Sequence, residues 1–278
     1  MNQIQKAEAL KGLHHRGQLL VLPNIWDSLG ALLLQDLGYP AVATASASIA
    51  YSNGYNDGEK FSFDLLLALL TRIASSVHLP VTADVESGYA DDNNKLYENI
   101  QRLIATGIVG INIEDTNKTT GNLYARDEQT SRIRIIRQVA REMGVPLFVN
   151  ARTDVLLRGN FMDHSTKMNE IISRGKDYKE AGADCFYPIT LSRQEDIVMV
   201  LSEVKLPVNI LAMPGIPGLK ALQSMGVARV SLGPGFLKIA VQAMKQSATR
   251  LINLEGMDAV TQNEISSDYL KSLVNAVV

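Results

Sequence analysis

Short apolar runs alternate with amphipathic segments along the chain. Most of the apolar runs are continuous rather than alternating, as in strands that are buried on both faces of a parallel sheet. The eight predicted strands are Leu19–Leu22, Ala41–Thr44, Val81–Val85, Gly110–Glu114, Leu147–Arg152, Cys185–Ile189, Val208–Ala212 and Arg229–Leu232.

The segments between these runs have the apolar spacing of helices. The spacing is clearest in Phe63–Val77 and Leu96–Ala105, and Glu128–Met143 and Thr166–Ala181 follow it too. Glycine stands at several of the expected helix ends, where its left-handed conformation is favourable. Strand and helix alternate eight times, which predicts right-handed crossovers and a parallel sheet.

Eight such units favour a closed barrel over an open sheet. The residues after the first strand, 23–27, have no glycine fingerprint of a dinucleotide site. We therefore predict an α/β protein with a single (β/α)₈ TIM-type barrel domain over 1–278. Helical patterns at Phe236–Ala248 and Ala259–Val277 predict a C-terminal helical extension over 237–278.

Composition and charge narrow the class of protein. With 46% hydrophobic residues among 278, the chain can bury one large core, and its net charge of −2 indicates neither nucleic acid nor membrane as a partner. Residues 1–17 lack the apolar core of a signal peptide. The single cysteine, Cys185, lies in an apolar run, where we expect a small core residue. These features predict a cytoplasmic protein.

Acidic side chains gather at the ends of neighbouring predicted strands. Asp84 and Glu86 end the third strand and would share one face of it, Glu114 ends the fourth, and Asp57 lies in the loop after the second. In a barrel, the carboxyl ends of the strands build the active site. Close carboxylates repel each other and need a cation, and oxygen ligands select Mg²⁺, with Mn²⁺ as an alternative. A single acidic residue at such a position is more often a helix cap than a metal ligand. The metal prediction therefore depends on all four acids occurring together.

Arg152 ends the fifth strand and adds a cation to this acidic edge. Its planar fork suits a carboxylate or phosphoryl group, and a salt bridge to Glu114 or Asp154 can coexist with that role. No predicted strand contains lysine, which argues against Schiff-base chemistry. A phosphate-binding sugar-metabolism barrel, suggested by the glycines of 233–235, would leave the acids unexplained.

At these positions the chain resembles the isocitrate lyase/phosphoenolpyruvate mutase superfamily, over roughly Leu19 to Leu237. The resemblance rests on the order and spacing of five motifs. They are ATASAS at 43–48, GYNDGE at 54–59, DVESGY at 84–89, IED at 113–115 and NARTD at 150–154.

The resemblance implies roles for the acidic residues and for further residues. Asp84 would be the direct metal ligand, with Asp57, Glu86 and Glu114 in the water-mediated shell of a Mg²⁺ ion. Asp57, Arg152 and Glu114 would be catalytic. The implied substrate-binding residues are Thr44, Ala45, Ser46, Arg152, Asn209, Lys118 and Asn122. Residues 44–46 would hold the substrate carboxylate through backbone N–H and hydroxyl groups.

The chain departs from the best-known members at three places. The mutase carries a Lys…Asn-Ser gating sequence in the loop after the fourth strand, which Lys118, Thr119, Thr120 and Asn122 resemble only loosely. The lyases carry Lys-Lys-Cys-Gly-His in the loop after the fourth strand, whereas Asp115–Tyr124 contains no cysteine. Ile189 stands where methylisocitrate lyases have a glutamate. The last two differences argue against cleavage of isocitrate or methylisocitrate by that route, and the chain is more similar to the phosphonomutase-like branch.

The leading hypothesis is a Mg²⁺-dependent lyase or hydrolase that cleaves a C–C bond of a small α-oxo-carboxylate, such as oxaloacetate, through an enolate. One alternative is P–C bond chemistry of the phosphoenolpyruvate mutase or phosphonopyruvate hydrolase type. Another is a barrel that binds an oxo-acid without turnover. The resemblance also implies a homo-oligomer, a dimer of dimers with exchanged C-terminal helices.

Overall fold

Parallel β-strands form the centre of the fold. The computed structural model describes residues 1–159 and 162–275. Its strands are β1 Leu20–Leu22, β2 Asn24–Ile25, β3 Val42–Thr44, β4 Val81–Asp84, β5 Gly110–Glu114, β6 Phe148–Thr153, β7 Cys185–Pro188, β8 Asn209–Leu211 and β9 Arg229–Ser231. All eight predicted strands are present, and β2 adds a short strand that the apolar pattern did not indicate.

Every pair of neighbouring strands is parallel, which confirms the α/β prediction. The strands pair in the orders β2-β3-β4-β5-β6-β7 and β1-β9-β8. Only Pro23 separates β1 from β2, and proline has no N–H for the hydrogen-bond ladder. A parallel bridge between Phe186 and Val208 lies where β7 faces the residue before β8. The eight-unit order is thus present, while closure of the ring stays a prediction.

Helices follow the strands. They are α1 Gln3–Leu13, α2 Ser28–Asp36, α3 Ser46–Ser52, α4 Phe63–Ser76, α5 Asn93–Ala105, α6 Arg126–Glu142, α7 Val155–Arg158, α8 His164–Ala181, α9 Gln194–Val204, α10 Leu219–Met225, α11 Gly235–Ile252, α12 Asp258–Thr261 and α13 Ser267–Asn275. All four helices predicted between strands are present. Left-handed glycines end α8 and α10, at Gly182 and Gly226, as the glycine pattern predicted.

The helical pattern over Ala259–Val277 is interrupted in the structure. The segment forms α12 and α13 with a break between them, and residues 276 and 277 lie outside the described ranges. In the break, Asn263 Oδ1 accepts the N–H of Ile265 at 2.8 Å, and Ser266 Oγ accepts that of Tyr269 at 3.1 Å. These side chains bond to the backbone locally and so compete with a continuous helix.

Apolar side chains fill the space between strands and helices and also close one end of the sheet interior. Leu10 of α1 packs there with Leu20, Phe148 and Cys185, all of them buried. The prediction that Cys185 is a core residue is therefore confirmed. Within 1–159 and 162–275, no helix has the length and apolar character needed to span a bilayer.

Candidate active site

Asp84 ends β4 and is held by the loop that follows β3. Its N–H donates to Thr44 Oγ1 at 3.1 Å, and its Oδ2 accepts from Ser46 N at 3.2 Å and from Ser46 Oγ at 2.9 Å. The N–H of Ala45 donates to the Ile25 carbonyl at 3.3 Å. Residues 44–46 thus orient Asp84, and most of the donors predicted for a substrate carboxylate are engaged by the protein itself.

Glu86 lies in a tight turn beyond β4, so the expectation that it shares a strand face with Asp84 was wrong. Glu86 and Tyr89 have left-handed φ values of 52° and 54°. Glu59 stabilises this turn: its Oε1 accepts from Ser87 N at 3.0 Å, Ser87 Oγ at 2.6 Å and Tyr89 N at 2.9 Å. The Glu59 N–H in turn donates to Glu86 Oε1 at 2.7 Å. Glu59 was not predicted as a site residue, although it ends the GYNDGE motif.

Lys118 connects Glu86 to Glu114. Its Nζ lies 2.9 Å from Glu86 Oε2 and 2.5 Å from Glu114 Oε1. The other oxygen of Glu114, Oε2, lies 2.9 Å from Arg152 Nη1. The structure therefore brings two of the four predicted acids together through a lysine, which places Lys118 among the acids.

Burial determines how readily these acids ionise. It raises the pKa of Glu86 to about 7, against the opposing charge of Lys118, and that of Glu114 to about 8, against Arg152 and Lys118. Burial also lowers the pKa of Lys118, but the two carboxylates outweigh this effect and raise it above its ordinary value. Asp57 lies on an exposed loop, where the surrounding protein and the Asp84 charge raise its pKa.

Two carboxylates, those of Glu114 and Asp154, contact the guanidinium of Arg152. Beyond its contact with Glu114, its Nε donates to Asp154 Oδ1 at 2.6 Å and its Nη2 to Asp154 Oδ2 at 3.2 Å. Thr116 Oγ also donates to Asp154 Oδ2, at 2.6 Å. The predicted salt bridges of Arg152 to Glu114 and Asp154 are thus both present. They fix the guanidinium in one orientation.

A fully buried ionic network lies behind Asp154, and the sequence did not indicate it. Asp115 Oδ1 accepts the N–H of Asp154 at 2.8 Å. Asp115 Oδ2 accepts from Arg174 Nη1 at 3.0 Å and from the Tyr178 hydroxyl at 2.7 Å. This network joins the loops after β5 and β6 to α8. It thereby holds Asp154, the hydrogen-bond partner of Arg152, in position.

The other two predicted substrate residues form their hydrogen bonds with residues other than the carboxylates. Asn209 is fully buried, and its Nδ2 donates to Ser231 Oγ at 3.0 Å. Asn122 is exposed at the end of the 116–124 loop, where its carbonyl accepts the N–H of Asn117 at 2.9 Å. Their roles toward a substrate remain predictions.

The acidic side chains of the site provide only part of the ligand shell of a hard divalent cation such as Mg²⁺. Among residues 1–159 and 162–275, no group of three or more acidic, histidine or cysteine side chains converges at metal-binding distance. Mg²⁺ commonly keeps several waters and takes only one or two carboxylates from a protein. Asp84 as the direct ligand, with Glu86 and Glu114 acting through water, is compatible with that chemistry.

A polar cavity of about 570 Å³ opens beside Lys118. Its lining includes Glu59, Tyr89, Thr119, Lys60 and Lys95. It borders the carboxylate group rather than containing it, so it provides an approach to the site from solvent.

Comparison with known proteins identifies the family. The model of the phosphoenolpyruvate phosphomutase family matches residues 10–252. A solved structure from Burkholderia cenocepacia J2315, provisionally assigned as a phosphonomutase, is 37% identical, covers 90% of this chain and 99% of its own, and has a TM-score of 0.82. An uncharacterized protein of Mycobacterium tuberculosis is 31% identical over 80% of each chain.

More distant relatives have different named activities. A 2-methylisocitrate lyase of Halalkalibacterium halodurans is 25% identical over 92% of this chain and 84% of its own. An oxaloacetate decarboxylase of Pseudomonas fluorescens is 26% identical and a phosphonopyruvate hydrolase of Variovorax sp. is 24% identical. The predicted resemblance is thereby confirmed, and the chain belongs to the phosphoenolpyruvate phosphomutase family.

Proposed function

We propose that this protein is a Mg²⁺-dependent enzyme that cleaves a C–C bond of a small α-oxo-carboxylate, with an oxaloacetate-like substrate. The observation that carries the proposal is the oriented Arg152 beside Glu114 and Asp84, at the carboxyl ends of neighbouring parallel strands. We also infer that the strands close into a barrel, because the Phe186–Val208 bridge and Pro23 lie at the two junctions between the sheets.

Asp84, Glu86, Glu114 and Asp57 would hold the metal, with Asp84 as the direct ligand. Bound Mg²⁺ would act as a Lewis acid toward the oxo and carboxylate oxygens of the substrate. Ser46 keeps Asp84 oriented through two bonds to Oδ2, so the other oxygen can face the ion. Asp84 is therefore oriented before any ligand arrives, which limits its reorganisation during the reaction.

Arg152 would stabilise the negative charge that develops on the substrate. In a decarboxylation, the C–C bond to the distal carboxylate breaks, CO₂ leaves, and the electron pair passes to the oxo group as an enolate, which is then protonated on carbon. Asp154 fixes the guanidinium in one orientation through two bonds, leaving its charge available at the site. We assign the proton transfer to Glu114, whose carboxylate lies beside Arg152.

P–C bond chemistry is the second candidate. Two cations, Lys118 and Arg152, contact the carboxylate group, and a phosphonate would need such charges. A relative named phosphonopyruvate hydrolase gives this reading a precedent in the family. Phosphorus NMR distinguishes it: a phosphonopyruvate resonance that stays unchanged with enzyme and Mg²⁺ excludes P–C cleavage.

The proposed function is tested by a panel of oxo-acids with Mg²⁺: oxaloacetate, phosphonopyruvate, methylisocitrate and dimethylmalate. We expect turnover of an oxaloacetate-like acid that is lost in Asp84→Ala and Asp84→Asn and retained in Asp127→Asn, an exposed acid on α6. Undiminished turnover by Asp84→Ala contradicts the metal assignment. Calorimetric binding of oxalate without any turnover favours a barrel that only binds oxo-acids.

We also propose that the chain forms a homo-oligomer through α11. This helix has no buried residue, and Ile239 and Met244 are 64% and 70% exposed. An apolar groove of about 410 Å³, lined by Trp26, Leu29 and Phe236 among others, lies against it. Apolar surface of this extent favours a second copy as the partner. Light scattering should give a mass above that of one chain, and a monomeric mass contradicts the proposal.

A further inference from the structure

One lysine bridges the two most enclosed acids of the site. The side chains of Glu86 and Glu114 are 4% and 3% exposed, and Lys118 Nζ contacts Glu86 at 2.9 Å and Glu114 at 2.5 Å. Water screens the charges weakly at such depth, so the attraction is strong. Both contacts are close ion pairs, and a different cation can take the same two oxygens.

The loop that carries Lys118 is stabilised by its own hydrogen bonds. Asn117 Oδ1 accepts from the N–H groups of Thr119 and Thr120, both at 2.9 Å. The Asn117 carbonyl accepts from Gly121 N at 2.8 Å. These bonds form a compact turn that presents Lys118 to the acids.

We infer that Lys118 and the divalent cation compete for Glu86 and Glu114, so that Lys118 sets the metal affinity of the site. An ammonium group and a divalent ion repel each other at a separation of a few ångströms, and both need the same carboxylate oxygens. Metal binding therefore displaces Lys118 and releases the 116–124 loop from the acids. The inference rests on the proposed metal site and goes beyond it, because it assigns Lys118 a role before substrate binds.

The affinity for Mn²⁺ tests the competition directly, without any assay of activity. The free Mn²⁺ signal in electron paramagnetic resonance would be titrated with the wild-type protein, Lys118→Met and Lys118→Gln at mildly alkaline pH. Both variants should bind Mn²⁺ at least about tenfold more tightly, since a close buried charge pair is removed. The matched control is Lys95→Met, which removes the same charge from an exposed pair with Glu98. Its affinity should stay close to that of the wild type.

The outcomes separate the inference from the proposed function. Equal or weaker Mn²⁺ binding by both folded Lys118 variants overturns the competition while leaving the metal site in place. Absence of Mn²⁺ binding in the wild type and in every variant overturns the metal site and the inference together. Thermal unfolding shows whether each variant is folded.

Hydrogen exchange tests the release of the loop. In the wild type, Mg²⁺ should accelerate amide exchange in the 116–124 segment, because Lys118 no longer tethers it to Glu86 and Glu114. The same segment in Lys118→Met should exchange fast with or without Mg²⁺. Exchange in the wild type that Mg²⁺ leaves unchanged or slows overturns the release.

Discussion

Arg152 Nη1 lies 2.9 Å from Glu114 Oε2, and the two residues are also register partners on β5 and β6. A cation and an acid therefore stand side by side where two parallel strands end. The pair matters for function because the acid has a raised pKa and the cation is held rigidly. Predictions about Arg152 and about Glu114 can be tested without first knowing which oxo-acid is the natural substrate.

Replacing Arg152 by lysine should reduce kcat by about 10² to 10³, because the site loses an oriented charge that stabilises the transition state. Lysine cannot reproduce the two bonds to Asp154 or the contact with Glu114. Steady-state kinetics with whichever oxo-acid proves active gives the measurement. Arg126→Lys, in an exposed pair with Asp177, is the control. A kcat close to that of the wild type would limit Arg152 to a structural role.

Without metal, the free energy of unfolding should fall as pH rises. In the folded protein the pKa of Glu86 is raised from 4.5 to about 7 and that of Glu114 from 4.5 to about 8. The folded state thus binds more protons than the unfolded state in this window. The stability contributed by these groups is complete below about pH 4.5 and is lost as pH passes about 7 and 8.

Chemical unfolding in the presence of a chelator checks this slope, and Glu114→Gln should flatten it. Mg²⁺ should have the opposite dependence, because it binds the ionised acids and so stabilises more at the alkaline end. A stability that rises across the same window without metal would show that these acids are already ionised at acidic pH.

Asp115→Asn should lower the free energy of unfolding by about 3–5 kcal/mol, because it removes the buried carboxylate that pairs with Arg174 and leaves the guanidinium with Glu170 alone. Urea unfolding measures the change. Asp177→Asn breaks an exposed ion pair and should cost no more than about 1 kcal/mol. Similar values for the two variants would mean that water compensates Arg174.

Arg229→Met should stabilise the protein by about 1–4 kcal/mol. Arg229 is fully buried, and its Nη1 and Nη2 have no hydrogen-bond partner among the described residues, while its Nε donates to Ser231 Oγ at 3.0 Å. The matched control is Arg174→Met, since Arg174 is a buried arginine with partners, and it should be destabilising. A loss of stability in Arg229→Met would indicate that internal waters satisfy Arg229.

Much of the fold could be predicted because its signals are local. Continuous apolar runs such as Cys185–Ile189 are typical of strands buried on both faces, and the predicted bounds were correct to within one residue. The helical pattern of the tail did not reveal its break at 262–266, because the apolar spacing continues through it. There the side chains of Asn263 and Ser266 bond to the backbone, which periodicity does not reveal.

The sequence by itself determined which elements form and which side chains stand at strand ends, since both follow from hydrophobic periodicity and from parallel topology. It placed Asp84, Glu114 and Arg152 at one edge for that reason. Only the tertiary structure decided their partners: Lys118 lies between Glu86 and Glu114, and Asp115 pairs with Arg174, 59 residues away. Such pairings depend on how loops from different units compete for the same buried oxygens, and no local pattern encodes that competition.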